Sequence, residues 1–176
     1  MSAVDILNNV NMFGIETNNS KICKVGETSL HITGFYPVTQ YEKLQESKIN
    51  IVINVSEEDH SDETKQFWFN EKINYHFIPI KHDRPSQLII EQCKQIKEII
   101  DSNKDKQIVV HCTAGISRSV STVIFYLMSI SNKTYEQCLE LIQKTRYMAD
   151  PNDGFEKQLK KYYFNVEMCK LLNNSK

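Results

Sequence analysis

The sequence predicts an α/β fold: a central, mostly parallel, twisted sheet with helices on both faces and extra helices at the C-terminal end. Three observations carry this. Short β-branched apolar runs alternate with helix-periodic stretches through the first two thirds of the chain. The run 51–55 is apolar at most positions, as in a parallel strand covered on both faces. After residue 120 only helical patterns occur, and no internal repeat is visible.

Residues 1–20 are rich in asparagine, with Ile6, Val10 and Phe13 at helical spacing; this reads as a short amphipathic helix docked on the body or as a partly ordered tail. Residues 30–35 alternate as a half-buried strand that stops near Gly34 and Pro37. Thr39-x-x-Glu42 has the form of a capping box for a helix carrying Tyr41 and Leu44, and 51–55 follows as a central strand. The run 57–63 carries Glu57, Glu58, Asp59, Asp62 and Glu63 around His60. It reads as a solvated loop leading into a helix through Phe67 and Trp68, and it is given no functional role. Residues 75–80 form another strand. Ile89, Cys93, Ile96 and Ile100 then set an apolar stripe at 4-3-4 spacing on a helix starting near Ser86, which covers the sheet. Residues 104–106 turn the chain into a strand at 108–110. After a polar loop, Val120, Val123, Ile124, Phe125, Leu127, Met128 and Ile130 make a helix apolar nearly all round, hence the buried central one. Thr134-x-x-Gln137 caps the next helix, with Cys138, Leu141, Ile142 and Thr145 on one face. Asp153-x-x-Glu156 caps the last, with Phe155, Leu159, Tyr162, Val166 and Cys169 facing in.

With 176 residues, 40% hydrophobic and 24% charged, the chain suits one globular domain with a real core. A net charge of −1 and the absence of any block of five Lys or Arg argue against nucleic acid or an anionic membrane as the main partner. No apolar run approaches the ~20 residues that span a bilayer, and the N-terminus lacks the basic and apolar regions of a secretory signal, so a cytoplasmic chain, with the nucleus as a further compartment, is expected. Cys23, Cys93, Cys112, Cys138 and Cys169 are odd in number and widely spaced, which suits free thiols in a reducing compartment. His31, His60, His76, His82 and His111 show no ligand spacing with them, so neither a metal nor another cofactor is expected.

The informative stretch is 108–119. Ile108, Val109 and Val110 read as a short strand. His111, Cys112, Thr113, Ala114, Gly115, Ile116 and Ser117 make a tight loop, and Arg118 and Ser119 open a helix. A strand that enters a small-residue loop and then a helix points several backbone N–H groups and the positive end of the helix dipole into one concavity, which binds phosphate. Gly115 allows a left-handed backbone where the loop curls. Arg118 brings a planar fork suited to two phosphate oxygens, and its charge opposes the helix dipole unless an anion is bound. Cys112 lies at the floor of this anion site, where the donors that hold phosphate also favour thiolate. Lowering a cysteine pKa by about three units takes roughly 4 kcal/mol, within what such sites supply.

His111-Cys112-x-x-Gly115-x-Ser117-Arg118-Ser119 after a strand resembles the active-site loop of the dual-specificity protein phosphatases, in the cysteine-based protein tyrosine phosphatase superfamily. The segment 125–128 resembles the family's helix after the loop, Pro151-Asn152-Asp153-Gly154-Phe155-x-x-Gln158-Leu159 resembles the motif opening its last long helix, and 49–58 is similar to its upstream strand and acidic turn. The likeness spans about residues 31–164. It implies a protein tyrosine phosphatase-like fold, with 21–172 as the catalytic domain and 1–20 as an N-terminal segment. His31-Ile32-Thr33-Gly34 departs from the family's usual Tyr-Leu-Gly type segment, and no kinase-docking or rhodanese-like domain precedes it; this suits an atypical, stand-alone member.

The resemblance implies a nucleophilic Cys112 that takes phosphate as a cysteinyl-phosphate, with Arg118 stabilising the charge in transit and Ser119 easing departure of the thiolate. Thr113, Ala114, Gly115, Ile116, Ser117 and Arg118 would bind the phosphate, with His111 and Asn152 in support; His111 reads as a hydrogen-bonding prop rather than a proton carrier. A leaving oxygen needs a proton, and Asp83 is the candidate acid between the strand ending at Ile80 and Glu91, at the family's position about thirty residues before the nucleophile. His82 and Arg84 beside it either touch substrate or are solvated. The expected partner is a phosphorylated protein or peptide, on tyrosine and on serine or threonine, and the chain is expected to be a monomer, with a dimer through the N-terminal segment as the alternative. Two rivals stay open: the same loop acting on inositol lipids or RNA 5′ phosphates, and a phosphopeptide-binding module with little turnover.

Overall fold

Strands alternate with helices along the chain until the last third, where three helices follow one another. The computed structural model describes residues 20–81 and 89–174, without the side chains of 167 and 169–174. Strands β1 (Cys23–Lys24), β2 (Leu30–Thr33), β3 (Ile51–Asn54), β4 (Asn74–Phe77) and β5 (Ile108–His111) form one sheet in the order β1-β2-β5-β3-β4. β2, β5, β3 and β4 are parallel, and β1 pairs antiparallel with β2. The helices are α1 (Tyr41–Glu46), α2 (Asp62–Asn70), α3 (Ile90–Asp101), α4 (Arg118–Ile130), α5 (Tyr135–Gln143) and α6 (Asp153–Asn174). The α/β class, the mostly parallel sheet and the C-terminal helices are those the sequence predicts.

Side-chain alternation along β3 and β5 divides the interior. Ile51 and Ile53, with Ile108 and Val110, enter a large core with Cys93, Ile96 and Ile100 of α3, Val123 and Ile124 of α4, Cys138 of α5, and Phe155 and Leu159 of α6. Val52 and Val109 point the other way, into a smaller core with Leu44 of α1 and Trp68 of α2. Both faces are therefore covered, α1 and α2 on one and α3 to α6 on the other. β5, buried at every position, lies between two neighbours and two cores. The parallel register sets Thr33, His111 and Asn54 side by side at the carboxyl ends of β2, β5 and β3. Open α/β sheets bind ligands at that edge. Among the described residues no helix is long and apolar enough to cross a membrane.

Several elements differ locally from the sequence expectation. β2 is buried at all four positions rather than on one face, because β1 pairs along its edge and α4 packs over it. Thr39 does not cap α1. It belongs to a 3-10 turn set by Pro37, its hydroxyl donates to the Tyr36 carbonyl (2.8 Å), and Gln40 precedes the helix with no side-chain cap. β4 stops at Phe77, short of Ile80, since Pro79 has no N–H to give to a ladder. The Thr134–Gln137 capping box is present, but α5 ends at Gln143, so Thr145 is exposed beyond it and donates to the Lys24 carbonyl (2.8 Å). The last helix is capped one residue earlier than read: α6 starts at Asp153, and Asn152 Oδ1 accepts the Phe155 N–H (2.9 Å). Phe155 and Leu159 are buried, and Tyr162 and Val166 half-buried, as expected. The helical pattern of Ile6, Val10 and Phe13, the start near Ser86 and the side chain of Cys169 lie outside the described residues.

Candidate active site

β5 ends at His111, residues 112–117 form the loop, and α4 begins at Arg118. The loop's shape follows from where its carbonyls go. Cys112 O faces His111 Nδ1 at 3.4 Å. Thr113 O accepts the Phe35 N–H (3.0 Å), Ile116 O the Asp150 N–H (2.9 Å) and Ser117 O the Ser121 N–H (2.8 Å). Ala114 O takes Arg146 Nη2 (2.9 Å), and Gly115 O takes Arg146 Nε. Six consecutive acceptors are thus satisfied by groups outside the loop. In a trans peptide the N–H points opposite to the C=O, so the donors face the concavity. Gly115 is at φ +67°, and a Cβ there would lie 2.5 Å from both Arg146 Nη2 and the Thr33 backbone; the left-handed turn and the close packing both demand glycine.

Cys112 Sγ sits at the floor, lined together with Thr113, Ala114, Ile116, Ser117 and Arg118. It accepts the Gly115 N–H (3.2 Å) and lies 3.4 Å from Ser119 Oγ. Burial alone would raise its pKa. The Ser119 hydroxyl and N–H, the Arg118 charge and the Gly115 N–H outweigh burial and bring it below the ordinary thiol value. The two other thiols with resolved shifts go the other way: burial pushes Cys93 up to about 12 and Cys138 to about 11. Arg118 is itself buried, its Nη2 donating to Thr113 Oγ1 (2.9 Å) and Nη1 to the Ile80 carbonyl (3.4 Å). Asn152, expected in support, donates its N–H to Ser117 Oγ (3.1 Å), tying the start of α6 to the loop.

The structure therefore brings together Cys112, Thr113, Ala114, Gly115, Ile116, Ser117, Arg118, Ser119, His111 and Asn152. Asp83, with His82 and Arg84, lies outside the described residues. Three further residues escaped the sequence reading. Arg146 is fully buried behind the loop, although its neighbours Lys144, Thr145 and Tyr147 are exposed; a lone arginine in a polar stretch carries no signal of that. Glu57 Oε1 lies 3.8 Å from Arg118 Nη1. His60 is buried with its Nε2 3.1 Å from His111 Nε2. The carboxylates of the 57–63 run are exposed, as a solvated loop requires, but the segment is not without a role at the site. Asn54 explains why: its Nδ2 donates to the Glu58 carbonyl (2.9 Å) and its Oδ1 accepts from the Ser56 N–H (2.8 Å), folding the run back over the end of β3.

Comparison with known proteins agrees with this geometry. Residues 32–165 match the dual specificity phosphatase catalytic domain family. The MAP kinase phosphatase with leucine-rich repeats protein 3 of Dictyostelium discoideum is 37% identical over 109 residues, which are 61% of this chain but only 13% of that protein. Human dual specificity protein phosphatase 22 is 32% identical over 135 residues, 76% of this chain and 69% of that protein. A crystal structure of DUSP15 superposes with a TM-score of 0.72 at 28% identity, covering 82% of this chain and 88% of that one.

Two predictions follow from the electrostatics. In a pH series with iodoacetamide read by peptide mass spectrometry, Cys112 is expected to alkylate at lower pH than an ordinary thiol, while Cys93 and Cys138 stay unmodified in the folded protein. Alkylation of all three at similar rates would contradict the lowered Cys112 pKa. The second concerns stability. Burial lowers the pKa of His60 from 6.5 to about 4 and that of His111 to about 3, the latter also through its neighbour His60. Below pH 6.5 the unfolded chain binds protons that the folded chain refuses, so stability is full above that value, falls as pH drops and levels off near the folded values. Urea unfolding is expected to lose on the order of 2–4 kcal/mol between about pH 7.5 and pH 5 from this pair. Equal unfolding free energies at both pH values would show that the two rings are not neutral and buried.

Proposed function

The chain belongs to the dual-specificity protein phosphatase family, and on that footing we propose that it hydrolyses phosphotyrosine and phosphothreonine in proteins through a cysteinyl-phosphate on Cys112. The observation that carries this reading is the loop at residues 112–117, whose carbonyls are all turned outward around a sulfur already accepting hydrogen bonds. In the first step the Cys112 thiolate attacks phosphorus. The bond to the ester oxygen breaks, and that oxygen leaves with a proton from Asp83. Loop N–H groups and the Arg118 guanidinium hold the three equatorial oxygens, and Arg118 Nε, buried and without a hydrogen bond among the described residues, is one of the donors it keeps for them. In the second step water attacks phosphorus and gives its proton to the Asp83 carboxylate. The S–P bond breaks, and the Ser119 hydroxyl donates to the departing sulfur. Asp83 is assigned by its sequence position. Support comes from the Ile80 carbonyl, three residues earlier, which lies against Arg118 at the rim of the site.

Substrate class follows from what the loop recognises. A thiolate and an arginine read the phosphate itself, so discrimination between residues depends on pocket depth. The sequence has no long insertion at 35–41 that would raise tall walls, and residues 113–117 are neutral, with no lysine to attract multiply charged inositol lipids or RNA. Tyrosine should be the faster substrate because phenolate is the better leaving group.

The test is phosphate release from phosphotyrosine peptides, phosphothreonine peptides, inositol lipids and RNA 5′ ends. Both peptides are expected to be hydrolysed, tyrosine faster. A lipid or RNA preferred about tenfold over the best peptide would replace the protein-phosphatase reading with another substrate class, and no turnover of any of them would leave a binding module. Cys112→Ser should abolish turnover of an aryl phosphate while phosphate or vanadate still binds. Residual activity within about tenfold of wild type would remove Cys112 from the mechanism. Activity needs Cys112 deprotonated and Asp83 protonated, so kcat/KM should be bell-shaped with its optimum on the acid side of neutrality. Asp83→Asn should lose about 10²–10⁴ on alkyl phosphates and flatten the alkaline limb. An unchanged limb would move the acid elsewhere.

A further inference from the structure

His60 stands in an exposed acidic run, yet only 4% of it is accessible. Its ring is stacked on Phe35 (centroids 4.0 Å, 16°) and met edge-on by Trp68 (4.7 Å, 75°) and Tyr75 (5.8 Å, 80°). The His60 backbone N–H donates to Asp59 Oδ1 (2.8 Å), which also accepts the Tyr75 hydroxyl. Packing in this cage would suit any aromatic ring. What a phenyl ring could not supply is the contact on the remaining edge, His60 Nε2 to His111 Nε2 at 3.1 Å.

Two nitrogens at that distance share one proton, and the rest of the network decides whose it is. His111 Nδ1 faces the Cys112 carbonyl at 3.4 Å, and a carbonyl can only accept. A neutral imidazole has one N–H, so with Nδ1 protonated His111 Nε2 is an acceptor and His60 Nε2 the donor. The charged groups around the pair, Asp59 and Lys65, leave both rings neutral, with burial holding their pKa values at about 4 and about 3. The reverse arrangement would set a bare His111 nitrogen against the carbonyl oxygen. Phe35 joins the two halves, since it stacks on His60 and donates its N–H to the Thr113 carbonyl.

We propose that His60 is a positioning residue for the nucleophile: its Nε2–H fixes the His111 tautomer whose Nδ1–H holds the Cys112 carbonyl outward, so that the next N–H of the same peptide, that of Thr113, is aimed into the loop. This goes beyond the Cys112 chemistry proposed above and rests on it. The device is a relay of orientation, not of protons, because neither ring changes charge in the working pH range.

The experiment reads the tautomers directly and then perturbs them. Long-range ¹H–¹⁵N correlation of the imidazoles in the wild-type protein is expected to show His111 protonated at Nδ1 and His60 at Nε2; the opposite tautomer on His111 overturns the proposal. His60→Phe fills the cage without a donor, and His60→Gln places an amide N–H where Nε2 stood. The Phe variant should move the midpoint of Cys112 alkylation and the acid limb of kcat/KM together to higher pH by about one unit, a roughly tenfold loss at fixed acidic pH, while Gln stays within about threefold of wild type. A Phe variant that melts like wild type and keeps the wild-type alkylation midpoint also overturns it. If the Phe variant does not fold, the wild-type tautomers and the Gln variant decide. Alkylation and NMR need no turnover, so a protein without phosphatase activity that still shows these tautomers and this shift would sink the functional reading and leave the role of His60 standing.

Discussion

The outward capture of the loop carbonyls is the constraint on which the site depends. Six peptide units in a tight curl carry six donors and six acceptors, and an anion is bound only if the acceptors face away. The six find their partners on five supports: β5 itself at His111, the chain after β2 at Phe35, Arg146 after α5 for two of them, Asp150 before α6, and the first turn of α4. An unsatisfied buried carbonyl costs on the order of 1–3 kcal/mol, so turning any one of them inward is opposed twice, by its lost partner and by the anion. The loop is preorganised because elements far apart in sequence converge behind it.

The sheet makes that convergence cheap. Parallel pairing without stagger brings the ends of β2, β5 and β3 level, so the segments leaving them at Gly34, Cys112 and Val55 start from one line. Gly34 sits so close to the loop that a Cβ would meet the Thr113 carbonyl at 3.0 Å. The segment after β3 is bent back by Asn54, which carries Glu57 to Arg118 and His60 to His111. A strand-end asparagine, rather than the acidic residues that follow it, thus decides that this loop belongs to the site.

Much of the fold and part of the site were legible in the sequence because they rest on local signals. Strand and helix periods, the Thr134 capping box, the buried stripe of α3 and the strand–loop–helix at 108–119 are each written within a dozen residues. What was not legible is what depends on distant pairing. Whether β2 shows one face or none depends on β1 and α4. Whether Asn152 or Asp153 caps α6 depends on an Asn side chain that competes within a turn of two suitable residues. Arg146 and His60 are polar residues among polar neighbours, and only the assembled core reveals that both are inside. Thr39 had the right spacing for a cap and failed because Pro37 had already committed the backbone to a tighter turn.

Three cysteines show what the loop adds to burial. Cys93, Cys138 and Cys112 are all nearly inaccessible, at 1%, 0% and 2% exposure. By desolvation alone each should be a weaker acid than free cysteine, and Cys93 and Cys138 are. Cys112 differs in what points at it: a hydroxyl, two backbone N–H groups and a guanidinium, all of which interact with the thiolate more strongly than with the thiol. The Gly115 N–H is available because the carbonyl of the same peptide, Ala114 O, is held by Arg146 on the other side. The acidity of Cys112 and the capacity of the loop to hold a phosphate dianion are therefore one property of one arrangement. Any substitution that releases a carbonyl inward, at Arg146 as much as within the loop, must weaken both together.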